Sequence, residues 1–353
     1  MSENYNDNIS ERLKLLLMKN KKEKNIKLEL DNLELITLPS ELKEYTWIQV
    51  LNINNCSLDS LNNLPPNITI LNATKNKIKS LSKLQLPDYL QNLNLENNLI
   101  DNIESLSNNL QNINLNYNKI KYINIIFPSK LKKLLLRNNK LKTIYLKTTN
   151  IKSLDLSNNN FYSISNLPNS LEILDCSNNK INYIIIPNNL RRLIANNNNI
   201  SNILHFPSSL EYIDLSKNYL TWLPILPDNL KKGIFKSNCL QSVCDKLLPL
   251  ELEELDLSLN NKLILNEILR ENKKIKYDHN NETNNNMSLI HNKIENNYKN
   301  INYNNYNNNK ILDNHYQNYI NTRMNMTTNL YHYQSKYNNS NPNYIIMKKR
   351  III

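Results

Sequence analysis

Apolar and polar positions follow one pattern that returns about every twenty residues along most of this chain. The pattern is Leu-x-x-Leu-x-Leu-x-x-Asn-x-Leu-x-x-Leu, with Ile, Cys, Ala or Phe also found at the apolar sites. One copy contains Leu171, Leu174, Cys176, Asn179 and Ile181. Twelve copies can be aligned, and their polar sites lie 19 to 23 residues apart. Such a series indicates a repeat architecture in which stacked units share one continuous core.

The polar site of the pattern predicts a structural role. The alternation of Leu174 and Cys176 is that of a strand with inward apolar side chains, and the chain must turn away from this strand at Asn179. Buried backbone groups lose their ladder partners there, which is costly unless they are bonded. An inward amide carries both a donor and an acceptor and can satisfy groups in adjacent repeats. We predict this role for Asn76, Asn98, Asn118, Asn139, Asn159, Asn179, Asn198, Asn218 and Asn238.

A proline three residues before the first apolar site marks eight of the copies, as in "PNSL" and "PSSL". Proline donates no amide hydrogen and has a fixed φ, so it favours an extended connector over a helix. With this mark the sequence resembles leucine-rich repeats, in particular the short form of bacterial effector proteins, over roughly residues 26–263. The resemblance implies a solenoid of the α/β horseshoe class, with a parallel β-sheet on its concave face and a ladder of stacked Asn side chains. Gly233, at a core site, departs from the pattern.

The two ends of the array predict capping elements. Leu13, Leu16 and Leu17 form one stripe of a capping helix within residues 1–25, with Ser10 as its N-cap. A second apolar stripe predicts a closing helix over residues 264–274; its members are Leu265, Ile268 and Leu269. Residues 275–353 have an Asn- and Tyr-rich, low-complexity composition that favours disorder.

Charge is concentrated in the C-terminal tail. Residues 272–353 contain eleven Lys and Arg against four Asp and Glu, so they carry +7 of the formal net charge of +12. Basic residues interleaved with Tyr could bind RNA or another nucleic acid through charge and stacking, which is our alternative function.

The start "MSENYNDNIS" has no apolar signal segment, and no run of eighteen apolar residues occurs. We therefore expect a cytoplasmic protein that does not bind membranes. The single Gly and the abundant Asn, Ile, Lys and Tyr indicate an AT-rich viral or protist source.

The usual signatures of catalysis are missing. One Gly in the chain excludes the Gly-rich phosphate loop, the dinucleotide fingerprint and the nucleophile elbow. The five His have no metal-ligand spacing with the Cys, so we expect no metal, cofactor or small-molecule substrate. Effectors with similar repeats can carry a C-terminal ubiquitin ligase with a catalytic Cys. Cys244 is the candidate here, but it precedes the last repeat, and the Asn-rich residues after the array leave no room for that domain.

A binding surface is predicted where strand residues point outward. Repeats three to five present mainly Asn there, whereas repeats six to eleven mix Asp, Arg, Tyr and exposed apolar residues. Arg and Tyr often dominate binding energy. We predict a protein-binding patch formed by Asp155, Asp175, Arg192, Ile194, Tyr212, Asp214, Lys232 and Ile234. In the alternative, Asp and Arg only pair with each other across neighbouring strands. The function expected is a non-enzymatic protein-protein interaction scaffold with an unidentified protein partner.

Overall fold

The computed structural model describes residues 2–81, 86–146, 149–243 and 248–278. Its strands are β1 Lys27–Glu29, β2 Val50–Asn52, β3 Ile70–Asn72, β4 Asn92–Asn94, β5 Asn112–Asn114, β6 Lys133–Leu135, β7 Ser153–Asp155, β8 Ser163–Ile164, β9 Ile173–Asp175, β10 Tyr183–Ile184, β11 Arg192–Ile194, β12 Tyr212–Asp214, β13 Lys232–Ile234, β14 Glu254–Asp256 and β15 Ile275–Lys276. Thirteen of them form one parallel sheet in chain order, and β8 pairs with β10 in a second, two-stranded sheet. The predicted parallel solenoid is confirmed, and each of the twelve aligned repeats contributes one strand to the main sheet.

The core of the array lies behind the middle residue of each strand. Leu193 in β11 lies in register between Leu174 and Ile213, and all three are fully buried. The next apolar residue along each chain segment, such as Cys176 or Ala195, is buried as well. One repeat is too short to enclose these side chains, so each repeat buries them against its two neighbours. The first and third residues of each strand point away from this core, and together they form what we call the strand face.

The residue just before the polar site has a left-handed backbone in every aligned repeat. Its φ lies between 54° and 60° at Asn32, Asn55, Lys75, Asn97, Tyr117, Asn138, Asn158, Asn178, Asn197, Lys217, Ser237 and Leu259. Asn tolerates this region better than other residues with a Cβ, because its short polar side chain can bond locally. The residue at this position turns the chain out of the strand, which explains the frequent Asn-Asn pair at the strand exit.

The segments that connect the strands of the main sheet are mostly non-helical. In seven of the repeats with a proline before the strand, its carbonyl oxygen accepts a bond from the first core amide, at 3.0 to 3.3 Å; these amides belong to Leu90, Leu131, Leu171, Leu190, Leu210, Leu230 and Leu252. A 3-10 helix, Ser40–Glu44, follows β1, and the described parts of the connectors between β2 and β14 contain no helix. The helix that the prolines disfavour is therefore absent from the described connectors between β2 and β14.

Helix α1, Ser2–Glu23, covers the N-terminal end of the array. The Asn20 amide joins the two, since its Nδ2 donates to the carbonyl oxygens of Asn25 and Lys27 at 3.0 and 3.1 Å. Its Oδ1 accepts from the Trp47 indole at 2.9 Å. The prediction that Ser10 is the N-cap was wrong, because the helix continues to Ser2 and places Ser10 inside it. Within the described ranges, no helix has both the length and the apolar character needed to cross a bilayer.

The C-terminal end closes with a strand as well as a helix. Helix α2, Glu267–Glu271, starts at Asn266, whose side chain accepts from the Leu269 amide. The closing helix predicted over 264–274 is present but shorter, and the predicted tail boundary at 275 lies too early, because Ile275 enters the core and β15 pairs with β14. Pairing satisfies backbone groups of β14 that would otherwise be left open at the sheet edge. Ile268, predicted for the apolar stripe, is 68% exposed. The rest of the tail, 279–353, lies outside the described residues.

Candidate protein-binding site on the strand face

The amides at the polar sites fasten each repeat to the preceding one from inside. The Oδ1 of Asn159 accepts from the Leu141 amide at 3.0 Å, and its Nδ2 donates to the Leu136 and Leu156 carbonyls at 2.9 and 3.1 Å. The same arrangement recurs at every one of the nine Asn named from the sequence, and also at Asn260. All are buried apart from Asn179, which is partly exposed. These residues hold the strand face rigid and do not form part of it.

Cys56 stands at a polar site in place of Asn. Its Sγ donates to the Leu30 carbonyl oxygen at 3.0 Å, so it supplies the donor of an amide without the acceptor. Burial raises the pKa of this thiol and also that of Cys176, a core residue. Both thiols are therefore kept protonated and unreactive in the core.

Four Asp at the third strand position bind the turn that follows them. The Asp175 Oδ1 accepts from the backbone amide of Ser177 at 3.0 Å and from its hydroxyl at 2.7 Å. Asp155, Asp214 and Asp256 bind the second residue after them in the same way. A structural use of these carboxylates was missed in the sequence, although "DLS" and "DCS" at the same repeat position were a signal for it.

The alternative in which Asp and Arg only pair across strands is not what the structure contains. Among the described residues, none of the four Asp forms an ion pair with Arg or Lys. Arg192 stacks on Tyr212 instead, with its guanidinium carbon 3.8 Å from the ring centroid. Arg192 and Tyr212 are register partners in β11 and β12, so the sheet itself sets this contact.

Apolar side chains lie beside this stack. Ile173, the register partner of Arg192 in β9, is 43% exposed. Ile194 lies between Asp175 and Asp214 in register, and it is partly exposed. The first residues of the strands form one column on the strand face, which we call the first column. Ile173 was absent from the predicted patch, although its place in this column beside Arg192 could have indicated it.

Other charges on the same face are already neutralised. Lys232 and Lys276 both contact Glu254, each at 2.6 Å, and their hydrogen bonds lower the pKa of that carboxyl. In the row just before the strands, Arg191 binds Glu211 through Nε and one terminal nitrogen at 2.9 and 2.6 Å. These exposed pairs add little stability, but they remove free charge around the patch.

Burial and the neighbouring Asp155 raise the pKa of Asp175, and the bonds from Ser177 oppose this effect. No group of three or more His, Cys, Asp or Glu that could hold a metal ion occurs in the described part of the chain. The patch presents a cation stacked on an aromatic ring, exposed apolar side chains and carboxylates.

Comparison with solved structures decides the fold. YopM from Yersinia pestis, described as a leucine-rich effector protein, aligns with a TM-score of 0.61 and 25% identity, over 75% of this chain and 87% of that chain. The chain has a leucine-rich-repeat fold. The internalin InlF from Listeria monocytogenes aligns with a TM-score of 0.52 and 20% identity, over 72% of this chain and 83% of its own. The LRIM1/APL1C complex gives a TM-score of 0.57 and 24% identity, over 64% and 46%. No protein-family model and no curated protein sequence matches the chain.

The N-terminal half of the leucine-rich-repeat strand face has a different chemistry. Its outward amides bond to each other across repeats: Asn72 donates to Asn52 at 2.8 Å, and Asn112 donates to Asn92 at 2.6 Å. Amides that satisfy one another offer few free polar groups. Repeats three to five, which present mainly Asn, therefore offer little for a partner to bind, because their outward amides are bonded to one another.

Two predictions fall where the leucine-rich-repeat structure is not described. Cys244, the candidate for a ligase nucleophile, lies between the described residues 243 and 248. The basic tail from residue 279 onward, which carries the nucleic-acid alternative, also lies outside the described residues. Both stay predictions, as does the viral or protist source.

Proposed function

We propose that this chain is a non-enzymatic scaffold whose protein partner binds the strand face between β6 and β14. The observation that carries the proposal is the stack of Arg192 on Tyr212 beside the exposed Ile173. Arg and Tyr are enriched among residues that dominate interface energies, and an apolar neighbour lets their contacts be shielded from water. Side chains of this kind, held on one rigid sheet, favour the binding of a protein surface.

Rigidity supports the same proposal. The strand face is held by continuous parallel pairing in front and by the buried amides behind, as at Asn159 and Asn198. A surface that is already ordered loses little conformational entropy when a partner binds. There is also a precedent for proteins of this fold in protein complexes, since the LRIM1/APL1C structure is itself a complex. Fold similarity alone does not assign a function, so the site chemistry bears the argument.

A pair of matched substitutions tests the proposal. Ile173→Glu places a charge at the first residue of β9, inside the patch. Ile70→Glu makes the same change at the first residue of β3, in the Asn-rich N-terminal half of the strand face. Tagged full-length protein would be used to capture partners from cell extracts, with quantitative mass spectrometry. We expect proteins that bind the wild type and Ile70→Glu to be lost with Ile173→Glu. Identical capture by all three proteins would contradict the proposal.

Nucleic-acid binding by the tail is the second candidate, and the +7 charge of residues 272–353 favours it. Charge-driven RNA binding weakens steeply as salt rises. The candidate predicts salt-sensitive RNA binding that persists after residues 26–263 are deleted. The ligase alternative predicts ubiquitin transfer that Cys244→Ala abolishes. A cytoplasmic location remains part of the proposal.

A further inference from the structure

We infer that Arg192 is the docking point for an acidic side chain, Asp or Glu, of the protein partner. The inference rests on the proposed function and specifies the chemistry of the partner at the centre of the strand face. It also commits the site to a carboxylate that is presented next to an apolar residue.

In the described part of the chain Arg192 has no carboxylate partner, whereas the cations close to it are paired with glutamates. Arg191, the preceding residue, binds Glu211, and Lys232, two strands away in the same column, binds Glu254. Within the described residues, Arg192 has no ion pair and its guanidinium donates no hydrogen bond. A guanidinium has five N–H donors in a planar fork that matches a carboxylate. All five are available here.

The stack on Tyr212 prepares Arg192 for this use. Contact with the ring face at 3.8 Å occupies one face of the guanidinium and leaves its N–H edges open. Because the plane is already held, less side-chain entropy is lost when a carboxylate binds than for a free Lys or Arg. The aromatic contact thus orients the cation without neutralising it.

The surroundings favour an acid with an apolar neighbour. Ile173 lies on the other side of Arg192 in register, where an apolar side chain of the partner can cover it. The nearby Asp175 and Asp214 do not compete for Arg192, because each directs its Oδ1 to the Ser two residues further along its own chain. Asp214 also accepts from Asn196 through Oδ2 at 3.0 Å. Both carboxylates are thus engaged by groups at the strand exit, and neither forms an ion pair with the Arg192 guanidinium.

A random-peptide display library, panned on the full-length protein, is the probe. We expect the wild type to enrich peptides with Asp or Glu next to an apolar residue. Arg192→Glu should lose these peptides and enrich Lys or Arg in their place. Lys236→Glu is the matched control, since Lys236 is an exposed cation two residues after β13 that has no ion pair in the described residues, and it should enrich the same peptides as the wild type.

Two results would overturn the inference: no acidic enrichment on the wild type, or acidic enrichment that Arg192→Glu retains. If non-acidic peptides are enriched and then lost with Ile173→Glu, the acidic docking point is refuted while the proposed function stands. For an enriched acidic peptide, Arg192→Gln should weaken binding about tenfold or more. Tyr212→Phe, which keeps the ring, should leave it unchanged. Equal affinities for Arg192→Gln and wild type, with unchanged circular dichroism, would also refute the inference.

Discussion

Asn198 donates from Nδ2 to the carbonyl oxygen of Cys176, one repeat earlier, at 3.0 Å. Its Oδ1 accepts from the Ile181 amide of that same repeat, also at 3.0 Å. The two bonds satisfy backbone groups that no strand can reach, because the chain has turned away from the sheet there. Since Nδ2 also donates to the Ala195 carbonyl of its own repeat at 3.2 Å, a single side chain supports the strand exit of two repeats.

Removal of this amide should weaken the array locally and globally. Asn198→Ala leaves Ile181 and Cys176 with buried backbone groups that lack partners, and we expect the free energy of unfolding to fall by about 2–4 kcal/mol. Denaturant titration measures the loss, and hydrogen exchange at the Ile181 amide should be accelerated. Asn199→Ala, at the exposed next position, should change stability by less than about 0.5 kcal/mol. Equal effects of the two substitutions would show that the amide is dispensable.

The left-handed position before the polar site offers a stabilising change. Leu259 adopts φ of 56° although it has a branched apolar side chain and is 50% exposed. Leu259→Asn should raise the free energy of unfolding by about 0.5–1 kcal/mol, because Asn tolerates this conformation with less strain. Leu250→Asn serves as a control, since Leu250 is 78% exposed and has no positive φ. Equal stabilisation by both substitutions would mean that removal of an exposed Leu, and not backbone strain, is responsible.

Gly233 and Phe235 are expected to be coupled. A Cβ on Gly233 would lie 2.9 Å from the Phe235 Cε2 and 3.1 Å from the Leu255 Cδ1, so the ring occupies the space that a core Leu fills in other repeats. Gly233→Leu alone should cost about 1–3 kcal/mol through overpacking, and Phe235→Leu alone about 1–3 kcal/mol through a cavity.

The double variant Gly233→Leu with Phe235→Leu restores the common repeat pattern. We expect its stability to lie within about 1 kcal/mol of the wild type, well above the sum of the two single losses. A double-mutant cycle by denaturant unfolding measures this coupling. Additive losses would show that the ring does not fill the site of the missing side chain.

Asp175 should make stability depend on pH in an unusual direction for a carboxyl group. Burial raises its pKa in the folded state, so the folded protein holds this proton more strongly than the unfolded chain does. Its contribution therefore becomes less favourable as pH rises from the ordinary pKa of Asp through the raised value, and stays constant above it.

Asp175→Asn keeps an acceptor for Ser177 and removes the charge. We expect the variant to gain stability relative to wild type as pH rises from acidic to neutral, as measured by urea unfolding across that range. Asp228→Asn is a control at an exposed carboxyl outside the strand face. A stability difference between Asp175→Asn and wild type that does not change with pH would contradict the assignment of a raised pKa.

Much of the fold could be predicted because it depends on spacing. Apolar residues three and two positions apart, as at Leu171, Leu174 and Cys176, have only one arrangement that buries them in a stack of short units. The inward orientation of the Asn followed from the need to bond backbone groups at the strand exit. The C-terminal end of the array was harder to predict. Ile275 begins a polar stretch of the sequence, and only its strand pairing with β14 shows that it belongs to the array.

The positions of the residues in the proposed patch followed from the repeat register, whereas the contacts of their side chains followed only in part. Placement of Arg192 beside Tyr212 and of Ile194 between two Asp followed from the repeat register, and the structure has that register. What each side chain does could not be read in the same way. Asp175 bonds to Ser177, and Arg192 stacks on Tyr212, although the sequence equally allowed an ion pair between the columns.

The sequence by itself determined the period, the inward residues and the order of strands, since these follow from which side chains avoid water and how far apart they lie. Only the tertiary structure decided which charges remain free. That outcome depends on contacts of a few ångströms between residues about twenty positions apart, such as Arg191 with Glu211. Two neighbouring arginines of the same charge thereby differ in role: one is neutralised by a glutamate, and the other is held on a tyrosine ring with its donors open.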